Sequence, residues 1–268
     1  MSITALQTAA TGLSALNTAL DVTANNLANV NTAGFKSSRV NFQDLLYVEK
    51  MQPGVQNSNG DRAPTGLYVG LGVKVAGTQL DFTQGNLVPG GELDVAIQGN
   101  GFFRVLVQDS LGTGGLAYTR AGQFTKNADG QLVMVNDQGR RLADDIDIPD
   151  DAISVTIAAD GRVFALVPGE TEPTDIGQIQ LSAFVNPAGL KQVGENLLVE
   201  TAASGPPITG IPGTENFGQL NQGRYEGSNV DPTRQLIDLI FTQRAYEMNS
   251  QTIRAADEAL RIVAQLRR

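Results

Sequence analysis

Seven-residue repeats near the N-terminus are the most restrictive pattern in this sequence. Two interleaved series run through residues 3–27: Ile3, Ala10, Asn17 and Ala24, and then Leu6, Leu13, Leu20 and Leu27. This spacing is typical of a helix with a narrow apolar seam that lies against another helix. Asp21 is the only charged residue among the first 35, so we do not expect this helix to be solvated on all sides.

A second heptad pattern occupies the C-terminal end. Neither Gly nor Pro occurs between residues 233 and 268, which predicts an uninterrupted helix of about 54 Å. Asp231 is placed to cap this helix and Pro232 to occupy its first turn. We expect the two terminal helices to pair as a coiled coil whose assembly seam is formed by Leu6, Leu13, Leu20, Leu27, Leu239, Tyr246, Ile253 and Leu260.

The residues between the two helices have the composition of a β domain. Of the 30 glycines, 29 lie between residues 34 and 227, which indicates a turn-rich region. Asp129-Gly130 and Asp160-Gly161 each separate two apolar runs, and this arrangement is a strong signal of a β-hairpin. The predicted fold class is therefore α+β, with long N- and C-terminal helices that pair as a coiled coil and a Gly-rich all-β middle domain.

These patterns predict three parts of the chain. Residues 1–35 and 229–268 are expected to form a discontinuous helical coiled-coil core domain. Residues 36–66 contain too few apolar residues for a core of their own and are expected to form an extended arm or a long hairpin. Residues 67–228 are expected to form the β-rich middle domain.

Asparagine is concentrated where the N-terminal helix should end. Asn25, Asn26, Asn29 and Asn31 precede Gly34, which is placed to close the helix in a left-handed conformation. Because Asn is a poor residue for a helix interior, the simpler interpretation of the group is fraying towards that end. Alternatively, the amides replace charges where helices of several subunits pack. The second interpretation makes Asn25, Asn26 and Asn29 candidate subunit contacts.

The composition argues against most catalytic chemistry. The chain has no Cys and no His, so the usual bases, nucleophiles and zinc ligands are absent. Carboxylate pairs can hydrolyse glycosidic bonds and acidic loops can hold Ca²⁺, but the densest acidic group lacks the spacing of a calcium loop and is typical of a solvated loop. This group is Asp144, Asp145, Asp147, Asp150 and Asp151. We therefore predict no catalytic residue, no metal site and no cofactor.

Charge and hydropathy exclude two further classes. The net charge is −9 and no basic stripe exists to neutralise phosphates, so nucleic acid is not an expected partner. The N-terminus has neither a basic region nor an unbroken apolar run, so it predicts neither a cleaved signal peptide nor insertion into a membrane.

Four sequence blocks resemble the flagellar axial family, which comprises rod, hook and hook-associated proteins. ANNLANVNTAGFK at residues 24–36 and QRAYEMNSQTIRAADEAL at residues 243–260 are similar to the family's N- and C-terminal signatures. DVAIQGNGFF at residues 94–103 and YTRAGQFTKNADGQLV at residues 118–133 are similar to the middle domain of rod and hook proteins. The blocks occur in the family's order and cover almost the whole chain. The resemblance implies a structural subunit that assembles into a helical homopolymer.

Within the family, chain length and NFQDLLYVEKMQPG at residues 41–54 most resemble the distal rod subunits. These form a stiff shaft that crosses the periplasm, and the matching segment locks neighbouring subunits there. The resemblance therefore implies a rod-stiffening segment that includes Phe42, Leu45, Leu46, Tyr47, Gln52, Pro53 and Gly54. A proximal rod or hook subunit is the alternative within the family. The loop at residues 108–117 departs from the family by being longer than usual.

The resemblance also implies partners. These are further copies of the chain, proximal rod proteins, the hook protein, the surrounding L and P rings and the flagellar type III export apparatus. Terminal helices that are unstable alone would stay unfolded until assembly, and a chain without disulfides can thread through an export channel. The rival from another class is a secreted carbohydrate-acting enzyme or adhesin with helical anchors.

Overall fold

The computed structural model describes residues 3–56, 62, 64–169, 172–214 and 216–266. These residues belong to two compact units. The helical unit contains the described part of residues 1–28, 38–79 and 231–268, and the β unit contains that of residues 29–37 and 80–230. A helix lies at each end of the chain and β-strands lie between them. The predicted α+β class is confirmed in this respect.

Two helices dominate the helical unit. Helix α1 spans Ile3–Ala28 and helix α2 spans Pro232–Leu266. The Asn249 side-chain amide donates a 3.0 Å hydrogen bond to the carbonyl oxygen of Ala9, and the Asn26 amide lies 3.4 Å from Oε1 of Gln235. Because late residues of α1 meet early residues of α2, the helices run antiparallel. They contact each other, while their pairing as a coiled coil stays a prediction.

The start of α2 follows its sequence signals. The Asp231 carboxylate oxygen Oδ1 accepts hydrogen bonds from the backbone N–H groups of Thr233, at 2.9 Å, and Arg234, at 3.3 Å. Pro232 is the first helical residue, where its missing N–H has no intrahelical partner to lose. These hydrogen bonds confirm the predicted cap. It could be predicted from the sequence because both signals act within one turn of the chain.

The expectation that Gly34 closes the N-terminal helix is wrong. Helix α1 ends at Ala28, and Gly34 lies in a later turn of the β unit. Its φ of +68° is left-handed, as predicted, but a Cβ there would come within 2.4 Å of the Ala121 backbone nitrogen. Glycine is therefore required by a close approach of two backbones. That approach is a tertiary contact that the local sequence does not reveal.

A β-ribbon packs on α1 within the helical unit. Its strands are β1 (Ser38–Asp44), β2 (Tyr47–Met51), β3 (Leu67–Gly70) and β4 (Val73–Leu80); β1 pairs with β4, and β2 pairs antiparallel with β3. Beside α1, a Cβ on Gly72 would come within 2.1 Å of Thr11 Oγ1. The ribbon includes the segment expected to be an arm or hairpin. Its return strands lie beyond residue 66, where that segment was expected to end.

The β unit is built from one large sheet and several small ones. The strand bounds are β5 Leu87–Pro89, β6 Val95–Gln98, β7 Phe102–Leu106, β8 Leu116–Thr119, β9 Phe124–Lys126, β10 Leu132–Met134, β11 Ser154–Ile157, β12 Arg162–Leu166, β13 Thr174–Gln178, β14 Leu181–Ala183, β15 Lys191–Gly194, β16 Leu197–Val199, β17 Ile208–Gly210, β18 Gln219–Gln222 and β19 Arg224–Glu226. Strand order in the six-stranded sheet is β15-β16-β8-β7-β14-β17, and β11-β12-β13 form a three-stranded sheet. The two-stranded pairs are β9 with β10, β6 with β18, and β5 with β19.

The two predicted hairpins are both present. Strands β9 and β10 pair antiparallel around Asp129-Gly130, and β11 and β12 pair antiparallel around Asp160-Gly161. Both glycines are left-handed, with φ of +84° and +85°. Inward-facing apolar residues of these hairpins, such as Val163, join the main core of the β unit. The hairpins thus place their apolar runs in a shared interior.

Candidate assembly surfaces

The predicted assembly seam is only partly covered within one chain. Seven of its members are half-buried and the eighth, Leu260, is exposed; the half-buried ones are Leu6, Leu13, Leu20, Leu27, Leu239, Tyr246 and Ile253. Burial of the remaining apolar area would be favourable. The seam therefore retains surface that a neighbouring subunit could cover.

The other N-terminal heptad series lies differently from the leucines. Ala10, Asn17 and Ala24 are exposed, whereas Ala9 and Ala15 are buried. Helix α1 is covered by both α2 and the ribbon, so its buried face is wider than a two-helix seam and is centred elsewhere. The spacing therefore predicted one series that is half-buried and one whose members Ala10, Asn17 and Ala24 are exposed.

Helix α2 carries an exposed apolar face that the heptad pattern did not reveal. This face, the α2 stripe, comprises Leu236, Ile237, Ile240, Phe241 and Met248. Phe241 is 74% exposed, which is unusual for so large an apolar side chain. Leu236 and Ile240 are four residues apart, as are Ile237 and Phe241, and Met248 follows Phe241 by seven, so the five residues share one broad side of the helix. A search for apolar residues four apart would have found this second face in the sequence.

The predicted rod-stiffening segment is exposed apart from one member. Phe42, Leu46, Tyr47, Gln52, Pro53 and Gly54 are exposed, and Leu45 is half-buried with its backbone N–H bonded to the Gly72 carbonyl oxygen at 2.8 Å. Neighbouring apolar residues on the ribbon extend the exposed surface, which we call the ribbon patch: Phe42, Leu46, Tyr47, Val48, Met51, Leu67 and Tyr68. Paired strands hold six of these side chains, and Leu46 lies between β1 and β2, where its carbonyl oxygen accepts a 3.1 Å hydrogen bond from the Leu71 N–H. A patch of this kind marks an interaction surface.

The three candidate asparagines have different environments. Asn25 is exposed and Asn29 is half-buried. Asn26 is 3% exposed, and its side chain bonds both backbone groups of Ser38, donating at 2.8 Å and accepting at 2.9 Å. These bonds tie the end of α1 to the start of the ribbon. Asn26 is therefore an internal link of the helical unit, which corrects its assignment to a subunit contact.

A buried ion cluster holds together the part of the β unit around Lys36. Nζ of Lys36 lies 2.6 Å from Oε1 of Glu226. Nε of Arg120 lies 3.3 Å from Oε2 of the same carboxylate, and this second contact is an ion pair without a hydrogen bond. The three side chains are almost fully buried. Burial lowers the pKa of Lys36 and the pKa of Arg120 from their ordinary values, and Glu226 opposes both shifts.

Backbone groups complete the anchoring of this segment. Glu226 Oε1 also accepts a 2.8 Å hydrogen bond from the Gly85 N–H, and the Glu226 carbonyl oxygen accepts one of 2.7 Å from Gly34. The Asn229 side chain accepts from the Ser37 N–H at 2.7 Å and donates to the Asp81 carbonyl oxygen at 2.8 Å. Three distant chain segments are thus joined. Lys36 is the last residue of the ANNLANVNTAGFK block at residues 24–36, but nothing in the sequence indicates that Glu226 is its partner.

One member of the acidic group, Asp144, has a structural role. The Asp144 carboxylate pairs with Arg104 and accepts a 3.0 Å hydrogen bond from the Gln180 N–H. Burial raises the pKa of Asp144 against the opposing effect of these bonds. Within the described ranges, no group of acidic side chains is arranged to hold a metal ion. Asp145, Asp147, Asp150 and Asp151 are at most half-buried, as a solvated loop requires.

Comparison with known proteins matches both ends and the middle of the chain. The family descriptions are "Flagella basal body rod protein" for residues 6–36, "Flagellar hook protein FlgE/F/G D1 domain" for residues 96–165 and "Flagellar basal body rod FlgEFG protein C-terminal" for residues 221–266. The flagellar basal-body rod protein FlgG of Agrobacterium fabrum is 45% identical over 97% of this chain and 98% of its own length. The chain belongs to the FlgG family of flagellar basal-body rod proteins.

More distant members of the FlgG family match over the same extent. FlgG of Borreliella burgdorferi is 43% identical over 98% of both chains, and FlgG of Bacillus subtilis is 36% identical over 96% of both. These relatives are structural rod proteins, so the chain is a structural subunit and the alternative of a carbohydrate-acting enzyme is rejected. The resemblance inferred from the four sequence blocks is confirmed.

Membership of the FlgG family places the chain in the flagellar basal body, where rod proteins polymerise. No helix in the described part of the chain is long and apolar enough to cross a membrane. The exposed surfaces of the helical unit are therefore candidates for contacts between subunits.

Proposed function

We propose that this FlgG-family chain is a subunit of the distal rod. It polymerises into a rigid hollow shaft that crosses the periplasm and transmits motor torque to the hook. The near full-length similarity to rod proteins supports the class of assembly. The observation that carries the proposal is the exposed α2 stripe, because a terminal helix with an apolar outer face is incomplete in a single chain.

The terminal helices supply the assembly energy. The predicted seam pairs α1 with α2 as a coiled coil, and neighbouring subunits cover its half-buried residues together with the α2 stripe. Complete burial of an apolar side chain contributes about 1.5–3 kcal/mol. The five side chains in the stripe are between 46% and 74% exposed, so covering what remains supplies roughly 4–9 kcal/mol before the cost of association. Asn25 and Asn29 contribute polar contacts between subunits at the end of α1.

The ribbon stiffens the polymer. Its patch presents Phe42 on β1, Tyr47 on β2 and Leu46 on the link between them, and Gln52, Pro53 and Gly54 follow β2. A paired ribbon bends less freely than a single extended arm because its hydrogen bonds must break for it to fold back. Contact between this patch and a neighbouring subunit would limit sliding between subunits and keep the shaft straight.

The remaining partners follow from this location. Proximal rod proteins lie below the distal rod, the hook protein lies above it, and the L and P rings surround it. The type III export apparatus carries the unfolded chain without a cleaved signal. The absence of cysteine agrees with this route, because no disulfide can form before the chain reaches its place in the rod.

Electron microscopy of the purified, concentrated protein tests the proposal. We expect straight tubes from the unmodified chain. Phe241→Asp should raise the critical concentration for assembly by about thirtyfold or more, since a charge replaces an apolar side chain in a buried contact. Phe241→Leu is the matched control and should still assemble. A concentrated protein that stays monomeric, or an F241D variant that assembles normally, contradicts the proposal.

A further inference from the structure

A cavity with aromatic walls opens within the β unit. Its volume is about 380 Å³, and its lining includes Phe82, Phe102, Phe184 and Phe217. The rings of Phe82 and Phe184 each pack edge-on against Phe102, with centroids 5.6 and 5.9 Å away. Mutual packing of this kind holds the walls in place. Volume and lining are typical of a preformed binding site.

Arg120 brings positive charge to this cavity. It lines the cavity, it is 6% exposed, and its Nη1 atom makes no hydrogen bond with any described residue. The buried cluster around it holds two cations, Arg120 and Lys36, for one carboxylate, Glu226. A buried donor without a partner is costly, and a buried excess charge more so. The cavity is therefore suited to a group that combines an apolar body with a carboxylate.

The rim of the cavity indicates a protein occupant. Val185 and Ile208 both line the cavity, and they are 81% and 54% exposed. Ile208 belongs to β17, the outer strand of the six-stranded sheet. A small ligand inside the cavity would leave these apolar side chains in water. A protein segment seated across the rim would cover them.

The charge of the chain favours a second copy as that occupant. The sequence of the β unit contains nine Lys and Arg residues against 19 Asp and Glu residues. Any neighbouring β unit therefore presents acidic surface to the cationic cavity. Because rod proteins polymerise, copies of the chain are also the protein present at the highest local concentration.

One exposed segment of the β unit has the required chemistry. Ile153 is 66% exposed, and Asp151, two residues before it, is exposed and forms no ion pair with the described residues. The Ile153 N–H donates a 2.8 Å hydrogen bond to the Leu166 carbonyl oxygen, so hairpin pairing holds the backbone from which the side chain projects. An ordered segment loses little entropy on docking.

The comparable segment at Val135 fits less well. Val135 is also exposed, and Asp137 follows it two residues later. However, hydrogen bonding to Glu195 raises the pKa of the nearby Arg140 guanidinium, and the charge of Asp137 raises it further. Asp137 thus already has a cation near it in its own chain. This difference makes Val135 a matched control for Ile153.

We infer that Ile153 of one subunit inserts into the phenylalanine-lined cavity of a second copy, with Asp151 facing the Arg120 region. This inference rests on the proposed polymerisation. The inserted segment and the cavity are different surfaces of the same unit, so the contact is heterologous. Heterologous contacts repeat from copy to copy, and they build an open helical polymer when the rotation between copies does not close into a ring. The β units would then add a specific contact to the assembly made by the terminal helices.

Cysteine cross-linking tests the contact directly because the chain has no native cysteine. The full-length double variant Ile153→Cys, Val185→Cys should form a covalent ladder of multimers under mild oxidation in the polymer, since the two sites meet between chains. Each single variant should give no ladder. The pair Val135→Cys, Val185→Cys is the control and should not cross-link. Absence of a ladder from the first pair in assembled polymer, or a ladder from the control pair, overturns the inference.

A charge substitution provides an independent measurement. Ile153→Asp should raise the critical concentration of the full-length protein at least about tenfold, as expected when an apolar side chain is excluded from a buried site. Val135→Asp should change it less than about twofold. Both residues are exposed in the single chain, and circular dichroism verifies that both variants fold. If the unmodified chain polymerises and I153D assembles equally well, the inference fails and the proposed function stands; if the unmodified chain forms no polymer, both fail.

Discussion

Lys36 and Glu226 are 190 residues apart in the sequence, and their side chains meet at 2.6 Å in the interior of the β unit. Lys36 follows the N-terminal helix and Glu226 ends the last β-strand before α2. The pair therefore fastens together the two points at which the terminal parts of the chain join the β unit. Arg120 shares the same carboxylate, which makes Glu226 the centre of the cluster.

Removal of the carboxylate should harm the fold more than removal of the lysine. Glu226→Gln leaves two buried cations without an anion and should lower the free energy of unfolding by about 3–5 kcal/mol. Lys36→Met leaves one cation and one anion in the cluster. The Thr83 carbonyl oxygen still accepts a hydrogen bond from the Asn229 side chain, so we expect the free energy of unfolding to fall by less than about 1.5 kcal/mol. Chemical denaturation followed by circular dichroism measures both. A larger loss for K36M would show that the cluster is not organised by its charge balance.

Gly34 should tolerate alanine much less well than a glycine in open space. Gly34→Ala combines a left-handed conformation with a contact of 2.4 Å to backbone, so we expect a loss of about 2–5 kcal/mol in unfolding free energy. Gly205 has a similar φ of +75°, but no atom of the described residues lies within 4 Å of its missing Cβ. Gly205→Ala should therefore cost only about 1–2 kcal/mol. Equal losses in denaturant titrations would mean that conformation alone, and not the approach of Ala121, requires glycine.

Stability should depend on pH through Asp144. Burial raises the folded-state pKa of Asp144 above its ordinary value of 3.8, so the folded protein binds this proton more tightly than the unfolded chain does. The contribution to stability is complete below pH 3.8 and is lost as the pH rises through the raised pKa. The free energy of unfolding of the wild type, minus that of Asp144→Asn, should therefore decrease with rising pH over this window. An increase in that difference would contradict the direction of the shift.

Leu20 should be essential for assembly and dispensable for the β unit. Leu20→Asp places a charge in the half-buried seam and should abolish polymerisation, because a buried unpaired charge costs several kcal/mol. Leu20→Met conserves the apolar volume and should still polymerise. Sedimentation measures assembly, and circular dichroism verifies that the β unit remains folded. Tubes formed by L20D at the usual concentration would exclude the leucine series from the seam.

Polar replacement of the ribbon patch should soften the polymer without preventing its formation. The double variant Leu46→Ser, Tyr47→Ser removes two of the exposed apolar side chains while the β2–β3 backbone pairing is retained. We expect filaments whose curvature in electron micrographs is greater than that of the wild type. Lys50→Ser, an exposed change on the same strand, should leave the filaments straight. Straight filaments from the double variant would show that the ribbon patch does not form the stiffening contact.

Features that depend on neighbouring residues could be predicted from the sequence. Asp231 and Pro232 start α2 within one turn, and the Asp-Gly turns at residues 129 and 160 form hairpins because both strands lie next to the turn. The predicted seam positions are half-buried on both helices except Leu260, which is exposed, and their role in assembly stays a prediction. Local hydrogen bonding and periodic burial act over a few residues, so the sequence contains the necessary information.

Features that depend on distant contacts were decided by the tertiary structure. Helix α1 ends before Gly34, and position 34 requires glycine because the Ala121 backbone lies too close for a Cβ. The Asn26 side chain hydrogen-bonds to the Ser38 backbone of its own chain, so it is not available to a neighbouring subunit. The sequence by itself determined the two terminal helices, the β-rich middle and the family. Only the fold decided that Glu226 would hold both Lys36 and Arg120, because a buried charge can be placed only where chain segments far apart in sequence supply its partners together.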